Sequence, residues 1–204
     1  MTRPFRQQAD EQILDRAAAL FARRGFAKTS VQEVADAVGL SKAGLLHHFP
    51  SKDALQAAVL EHSERLGRQV VEQVAHLPIG PERDRRAVEA MVDFALAHAG
   101  MVALLLAPVT QGTEDAAAAQ ATGASAAALQ AFGIDTAADS PAGGDTERLV
   151  RVAGALAALA VLTLAANQHS QSTAWRPFVV ATCYDALGHR RPDAVPTDPH
   201  QVEA

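Results

Sequence analysis

The chain has 204 residues, 49% hydrophobic and 20% charged, a balance that suits one or two globular domains with a substantial core. A formal net charge of −5 argues against a uniformly basic, sequence-nonspecific DNA-packing protein. The lone cysteine, Cys183, excludes an intramolecular disulfide, reads as a small apolar core residue, and suits a reducing cytoplasm.

MTRPFRQQADEQ has no apolar signal region, so a cytoplasmic chain is expected. An amphipathic helix follows, ending in FARRGFAKTS. Ser30 with Glu33 three residues later forms a capping box, which predicts a helix from Val31. Val34, Ala35 and Val38 share its buried face, and Ala35 is small enough for a second helix to cross there. Gly39 can adopt the left-handed conformation that ends a helix, and Leu40 can fill the space behind it. Ser41 then caps a helix from Lys42 that turns Leu45 and Phe49 inward and Lys42, Ala43, Gly44 and His47 outward. Such a helix, small or basic on its outer face, can enter a major groove. Ser51 caps a third helix and places Lys52 near a prospective phosphate.

A helical hairpin that only packs shares this spacing, but charge placement favours a DNA reader. All three lysines, Lys28, Lys42 and Lys52, fall in this stretch. Residues 1–66 hold nine Lys/Arg against eight Asp/Glu, a formal +1, while the remaining residues hold nine against fifteen, a formal −6.

FARRGFAKTS followed by VQEVADAVGLSKAGLLHHFPSKDAL resembles the DNA-binding domain of the tetracycline-repressor (TetR) family of bacterial transcriptional regulators over roughly residues 10–60. The resemblance implies an all-α chain with an N-terminal three-helix DNA-binding domain, residues 1–51, carrying the helix-turn-helix. A helical effector-binding and dimerisation domain, residues 52–190, follows through a connecting helix from residue 52. It also implies roles for individual residues. Thr29 and Ser30 stand before the second helix where phosphate is contacted; Ser41, Lys42, Ala43 and Gly44 open the recognition helix. His47 faces the groove, and Lys52 matches a phosphate-binding lysine. Leu46 departs from the pattern, since the family usually has a tyrosine there that touches the DNA backbone.

Beyond the reader the chain stays helical and becomes alanine-rich. Helices are expected from Lys52 to about Ala75, from about Pro81 until Gly100 interrupts, and as a short apolar segment ending at Pro108. Others are expected from Thr113 or Glu114 to Phe132, from Glu147 to Gln168 behind a Thr146 cap, and from Ala174 to Leu187 behind a Thr173 cap. IDTAADSPAGGD reads as a loop and residues 191–204 as a disordered tail. RVAGALAALAVLTLAAN is apolar almost all round and reads as an interface helix rather than a membrane span. The resemblance implies that the last two helices pair with their copies in a homodimer, with Leu156, Leu159, Leu162, Phe178 and Tyr184 at the interface. A two-fold dimer would set two recognition helices in successive major grooves of a palindromic operator.

A small-molecule effector of unspecified identity is expected in the middle of the chain. Met91, Phe94, His98, Met101, Leu105 and Phe132 offer flexible sulfur, aliphatic and aromatic surface, and Thr163, Asn167 and His169 offer orienting contacts. Each also reads as an ordinary core residue, and Trp175 and Tyr184 suit either a pocket or an interface. His47 and His48 point about 100° apart on a helix and cannot easily share a metal. No HExxH, paired-cysteine zinc spacing, Walker loop or GxSxG is present, so no catalysis, metal or cofactor is expected. The reading is therefore a repressor released by an effector; a ligand-independent or activating regulator, or a helical small-molecule-binding protein or enzyme, remains the alternative.

Overall fold

In the computed structural model, which describes residues 3–111, 123–135 and 146–189, every regular element among the described residues is a helix. The first of them, α1 (Arg3–Arg24), buries Ile13, Leu14, Ala17, Ala18 and Phe21 along one side. Helices α2 (Val31–Ala37) and α3 (Lys42–His48) begin where their caps dictate: Ser30 Oγ accepts from the Glu33 amide and Ser41 Oγ from the Gly44 amide. Gly39, at φ 71°, closes α2 with the Gly39 amide on Asp36 and the Leu40 amide on Ala35, a Schellman ending. Ala35 is fully buried at the crossing, and Val34 and Leu45 are 1% exposed.

The long α4 (Lys52–Val74), capped by Ser51, gives Leu55 and Val59 to this N-terminal core. Met101 enters the same core from α6 (Ala99–Gln111), so that core draws on residues well beyond 51. Helix α5 (Pro81–Ala97) joins α6 through a sharp break. The break falls at His98 rather than at Gly100, and α6 continues past Pro108, so two expected boundaries move. Gly100 is needed for a different reason: a Cβ there would lie 1.9 Å from the Asp15 carbonyl oxygen, so α1 and α6 touch backbone to backbone. Asp15 Oδ1 in turn accepts from the Met101 amide at 3.0 Å, capping α6 from a helix distant in sequence.

The second core joins α4, α5 and α6 to α7 (Gly123–Ala131), α8 (Thr146–Gln168) and α9 (Ser172–Ala186). Gly67 lets α7 lie directly on α4, since a Cβ there would come within 2.9 Å of the Ala127 methyl. The first half of the helix expected before Phe132, most of the following loop, and the tail lie outside the described residues. Helix α9 starts two residues earlier than expected: Thr173 is inside it, and the Ser172 hydroxyl bonds Asn167 Oδ1 instead of capping. A buried ionic knot ties three elements together. Asp84, 0% exposed, accepts two bonds from Arg148 at 2.9 and 3.1 Å and meets His189 Nε2 at 2.8 Å just past α9. Burial pushes the Cys183 thiol up to about 11, which keeps it a protonated core group.

By length and composition α8 could cross a bilayer, with mean hydropathy 2.1. One side of it packs in the core through Val152, Ala155, Leu159 and Thr163. The opposite side leaves Val150 65% and Val161 59% exposed, with Gly154 and Ala157 exposed between them.

Candidate DNA-binding surface

Caps and turn set α3 across α2 with its inner side closed by Leu45, while Ser41, Lys42, Ala43 and His47 are exposed and Gly44 and Leu46 are half-buried. Gly44 carries no side chain between Ala43 and His47, so the helix backbone itself is approachable there. The Ser41 hydroxyl is occupied in accepting from the Gly44 amide at 3.0 Å. Thr29 is 2% exposed and its hydroxyl donates to the Gly25 carbonyl at 2.9 Å, which ties the α1–α2 turn. Ser30 spends its oxygen on the Glu33 amide at 3.2 Å, and its own amide donates to Glu33 Oε2 at 2.8 Å. That amide, followed by the Ser30 hydroxyl and with Arg24 adding to it, holds the Glu33 carboxyl below the usual range.

Lys52 is anchored twice: Nζ donates to the Ala27 carbonyl at 3.2 Å and lies 4.2 Å from the centre of the Phe26 ring. The sequence does not announce one support of α3. His48 Nδ1 meets Asp10 Oδ1 at 2.7 Å and fastens the last turn of α3 to α1, while its neighbour His47 stays exposed. Spacing alone says that the two imidazoles diverge, but a partner thirty-eight residues away leaves no local signature.

The residues expected to line an effector pocket are spread over both cores and the α8–α9 corner. Met91 and Phe132 lie in the second core and Met101 in the N-terminal one, while Phe94 bridges both. Thr163 is fully buried and donates to carbonyls of its own helix, Leu159 at 2.8 Å and Ala160 at 3.2 Å. Leu105 is half-buried on α6. His98 stacks between Phe94 and His62, with ring centres 5.1 and 5.6 Å away. His169 and Trp175 pair at the α8–α9 corner at 6.1 Å. Near that corner, Asn167 lines an open cleft of about 520 Å³ together with residues 170–174.

His62 is 1% exposed; Arg65 contacts its Nδ1 at 2.5 Å, and its Nε2 has no partner among the described residues. Among the residues expected at a dimer interface, Leu159 is 7% exposed within the chain's own core, and Leu156 and Leu162 pack against that core. Tyr184 stacks on His189 at 4.7 Å. Only Phe178, 70% exposed, stands clear. Leu156, Leu159, Leu162 and Leu164 of α8 pack in or against the intrachain core, whereas Leu149 near its start is 45% exposed; the outward set, Val150, Gly154, Ala157 and Val161, has helical spacing but was hidden by the all-round apolarity of the segment.

These features define a class: a chain helical throughout its described regular elements, whose N-terminal helix-turn-helix leaves the outer face of its second helix open. Residues 13–59 match the family described as bacterial regulatory proteins, tetR family. Among curated relatives, the HTH-type transcriptional repressor KstR2 of Rhodococcus jostii (strain RHA1) is 45% identical over 49 residues, 24% of either chain. The HTH-type transcriptional activator FasR of Mycolicibacterium smegmatis is 37% identical over 90 residues, 44% of this chain and 41% of FasR. The matched segments thus span less than half of these relatives. Solved structures extend the likeness of fold along the chain. A TetR-like transcriptional regulator from Rhodococcus sp. RHA1 aligns over 89% of this chain and 97% of its own, with TM-score 0.54 and 19% identity. A TetR-family transcriptional regulator from Bordetella parapertussis 12822 aligns over the same shares, with TM-score 0.55 and 22% identity.

Proposed function

We propose that this chain is a cytoplasmic, DNA-binding transcriptional regulator, not an enzyme, that represses from a two-fold symmetric operator as a homodimer and is released by a small molecule. The observation carrying the DNA-binding reading is the α2–α3 unit inside the matched segment, with Lys42, Ala43 and His47 exposed on one side of a helix whose other side is sealed by Leu45. Ala43 and His47 reach base edges, and Lys42 and the anchored Lys52 meet phosphates. Thr29, with its hydroxyl turned into the α1–α2 turn, contributes mainly by holding the loop that carries Lys28. Repression is the direction we favour because the relative sharing 45% identity is named a repressor.

Dimerisation follows from the need for two readers. One recognition helix touches a few base pairs; two related by a two-fold axis reach successive major grooves roughly 34–36 Å apart. The exposed strip of Val150, Gly154, Ala157, Val161 and Phe178 is apolar and small enough for helices of a second copy to approach closely. Phe178→Asp should convert the dimer to monomer in sedimentation and weaken operator binding, whereas a variant that stays dimeric would move the interface elsewhere. An effector acts by binding more tightly the state in which the readers no longer match the operator.

The decisive experiment is selection of duplexes from a random pool by the full-length protein, followed by competition with random DNA at several salt concentrations. A recovered palindrome that outcompetes random DNA by at least a thousandfold supports the reading, and binding that merely collapses with salt and prefers no sequence refutes it.

A further inference from the structure

The centre of the outer face of α3 lacks the side chains that read guanine and adenine in pairs of hydrogen bonds. Arginine or lysine reads guanine O6 and N7, and asparagine or glutamine reads adenine N6 and N7. Here the central outward positions hold the Ala43 methyl, the bare Gly44, the half-buried Leu46 and the exposed His47. Ser41 accepts from the Gly44 amide, which fixes its hydroxyl at the helix start and leaves it a single O–H to donate. Lys42 is exposed in the first turn, flanking this apolar centre, and takes the sugar-phosphate edge in the proposed docking. Leu46 adds an aliphatic surface one turn from Ala43, on the same side of the helix.

One base offers an apolar group in the major groove: thymine, through its C5 methyl. We infer that α3 reads thymine by methyl contact with Ala43 and Leu46, so that each half-site of the operator is specified by a T·A pair at that position, with His47 adding a single hydrogen bond to a neighbouring base. Gly44 lets the helix come close enough for the short Ala43 side chain to touch the methyl. This inference rests on the proposed DNA-binding reading.

The test replaces thymine by deoxyuracil, one position at a time, in the operator recovered by selection; the exchange removes only the methyl. Loss of one methyl contact should weaken binding about fourfold at one half-site, and roughly fifteenfold when both symmetric positions are exchanged. In Ala43→Gly or Leu46→Ala protein the thymine and deoxyuracil operators should bind more nearly alike, because the protein side of the contact is gone. A specific operator whose affinity is indifferent to deoxyuracil at every half-site thymine overturns the inference and leaves the DNA-binding function standing. Failure of the protein to select any sequence overturns both.

Discussion

Replacing Gly100 by alanine adds one methyl group at the contact between α1 and α6. Its carbon would lie 1.9 Å from the Asp15 carbonyl oxygen and 2.8 Å from the Asp15 carbonyl carbon. Comfortable separation is about 3.5 Å, so the helices must part by roughly 1.5 Å, and backbone atoms cannot rotate aside as a side chain can. Alanine in a helix gains about 1 kcal/mol over glycine. Against this stand about 1–3 kcal/mol for overpacking and about 1.5–3 kcal/mol if the Asp15–Met101 amide bond is broken. The balance is a loss of about 1.5–5 kcal/mol, or about 3–20 °C in Tm for a chain of this size. Thermal unfolding followed by circular dichroism reads the first effect, and fluorescence anisotropy on the selected operator reads the second. Operator affinity should fall because α1 supports α2 and α3. A Gly100→Ala protein with unchanged or raised Tm and undiminished operator binding would refute the claim that α1 and α6 meet there.

Other positions give independent checks. Ser170 is the one non-glycine with positive φ among the described residues, at 55°, and ends α8 as a glycine would. Ser170→Gly should raise Tm by about 2–4 °C through relief of about 1 kcal/mol of strain, and a lower Tm would count against that strain. Burial first, then Arg65 and His98, keeps the His62 imidazole below its ordinary 6.5, with Glu11 and Asp15 on α1 acting in the opposite direction. The unfolded chain therefore takes up a proton that the folded one resists, so stability is full above 6.5 and declines as pH falls through it, by up to about 1.4 kcal/mol per pH unit. His62→Gln should flatten that decline in denaturant titrations from pH 7 to 5; an unaltered slope would exclude His62 as its source. Asp84→Ala should cost about 3–5 kcal/mol by removing the buried carboxylate that pairs with Arg148 and His189, and Asp84→Leu with Arg148→Met should recover most of it; failure of the pair to recover would mean that packing, not charge, dominates the site.

Where a short-range rule decides, the sequence was legible. Ser30, Ser41 and Ser51 each cap within three residues, so the starts of α2, α3 and α4 could be read in advance. The apolar spacing of Val34, Ala35 and Leu45 likewise dictated the crossing of α2 and α3. Errors arose where two local rules compete or where distant residues decide. Thr173 was the expected cap, yet α9 already begins at Ser172, whose hydroxyl is spent on Asn167. Gly100 looks like a helix breaker but is a point of contact with α1, whereas His98 makes the break. Nothing near Asp10, Asp15 or Asp84 signals His48, Met101 or Arg148 as partners, because those contacts exist only once the helices have docked. The same limit explains the effector region, where buried methionines and aromatics at helical spacing look alike whether they fill a core or line a cavity.

The tether on Lys52 has a consequence for association. A lysine free in solvent surrenders up to about 2 kcal/mol of rotamer entropy when a phosphate fixes it, and that loss is subtracted from binding. Here the Ala27 carbonyl and the Phe26 ring already narrow the rotamers of the side chain in the unbound protein. Much of that ordering is therefore completed on folding, and the proposed phosphate contact would start from a preorganised cation.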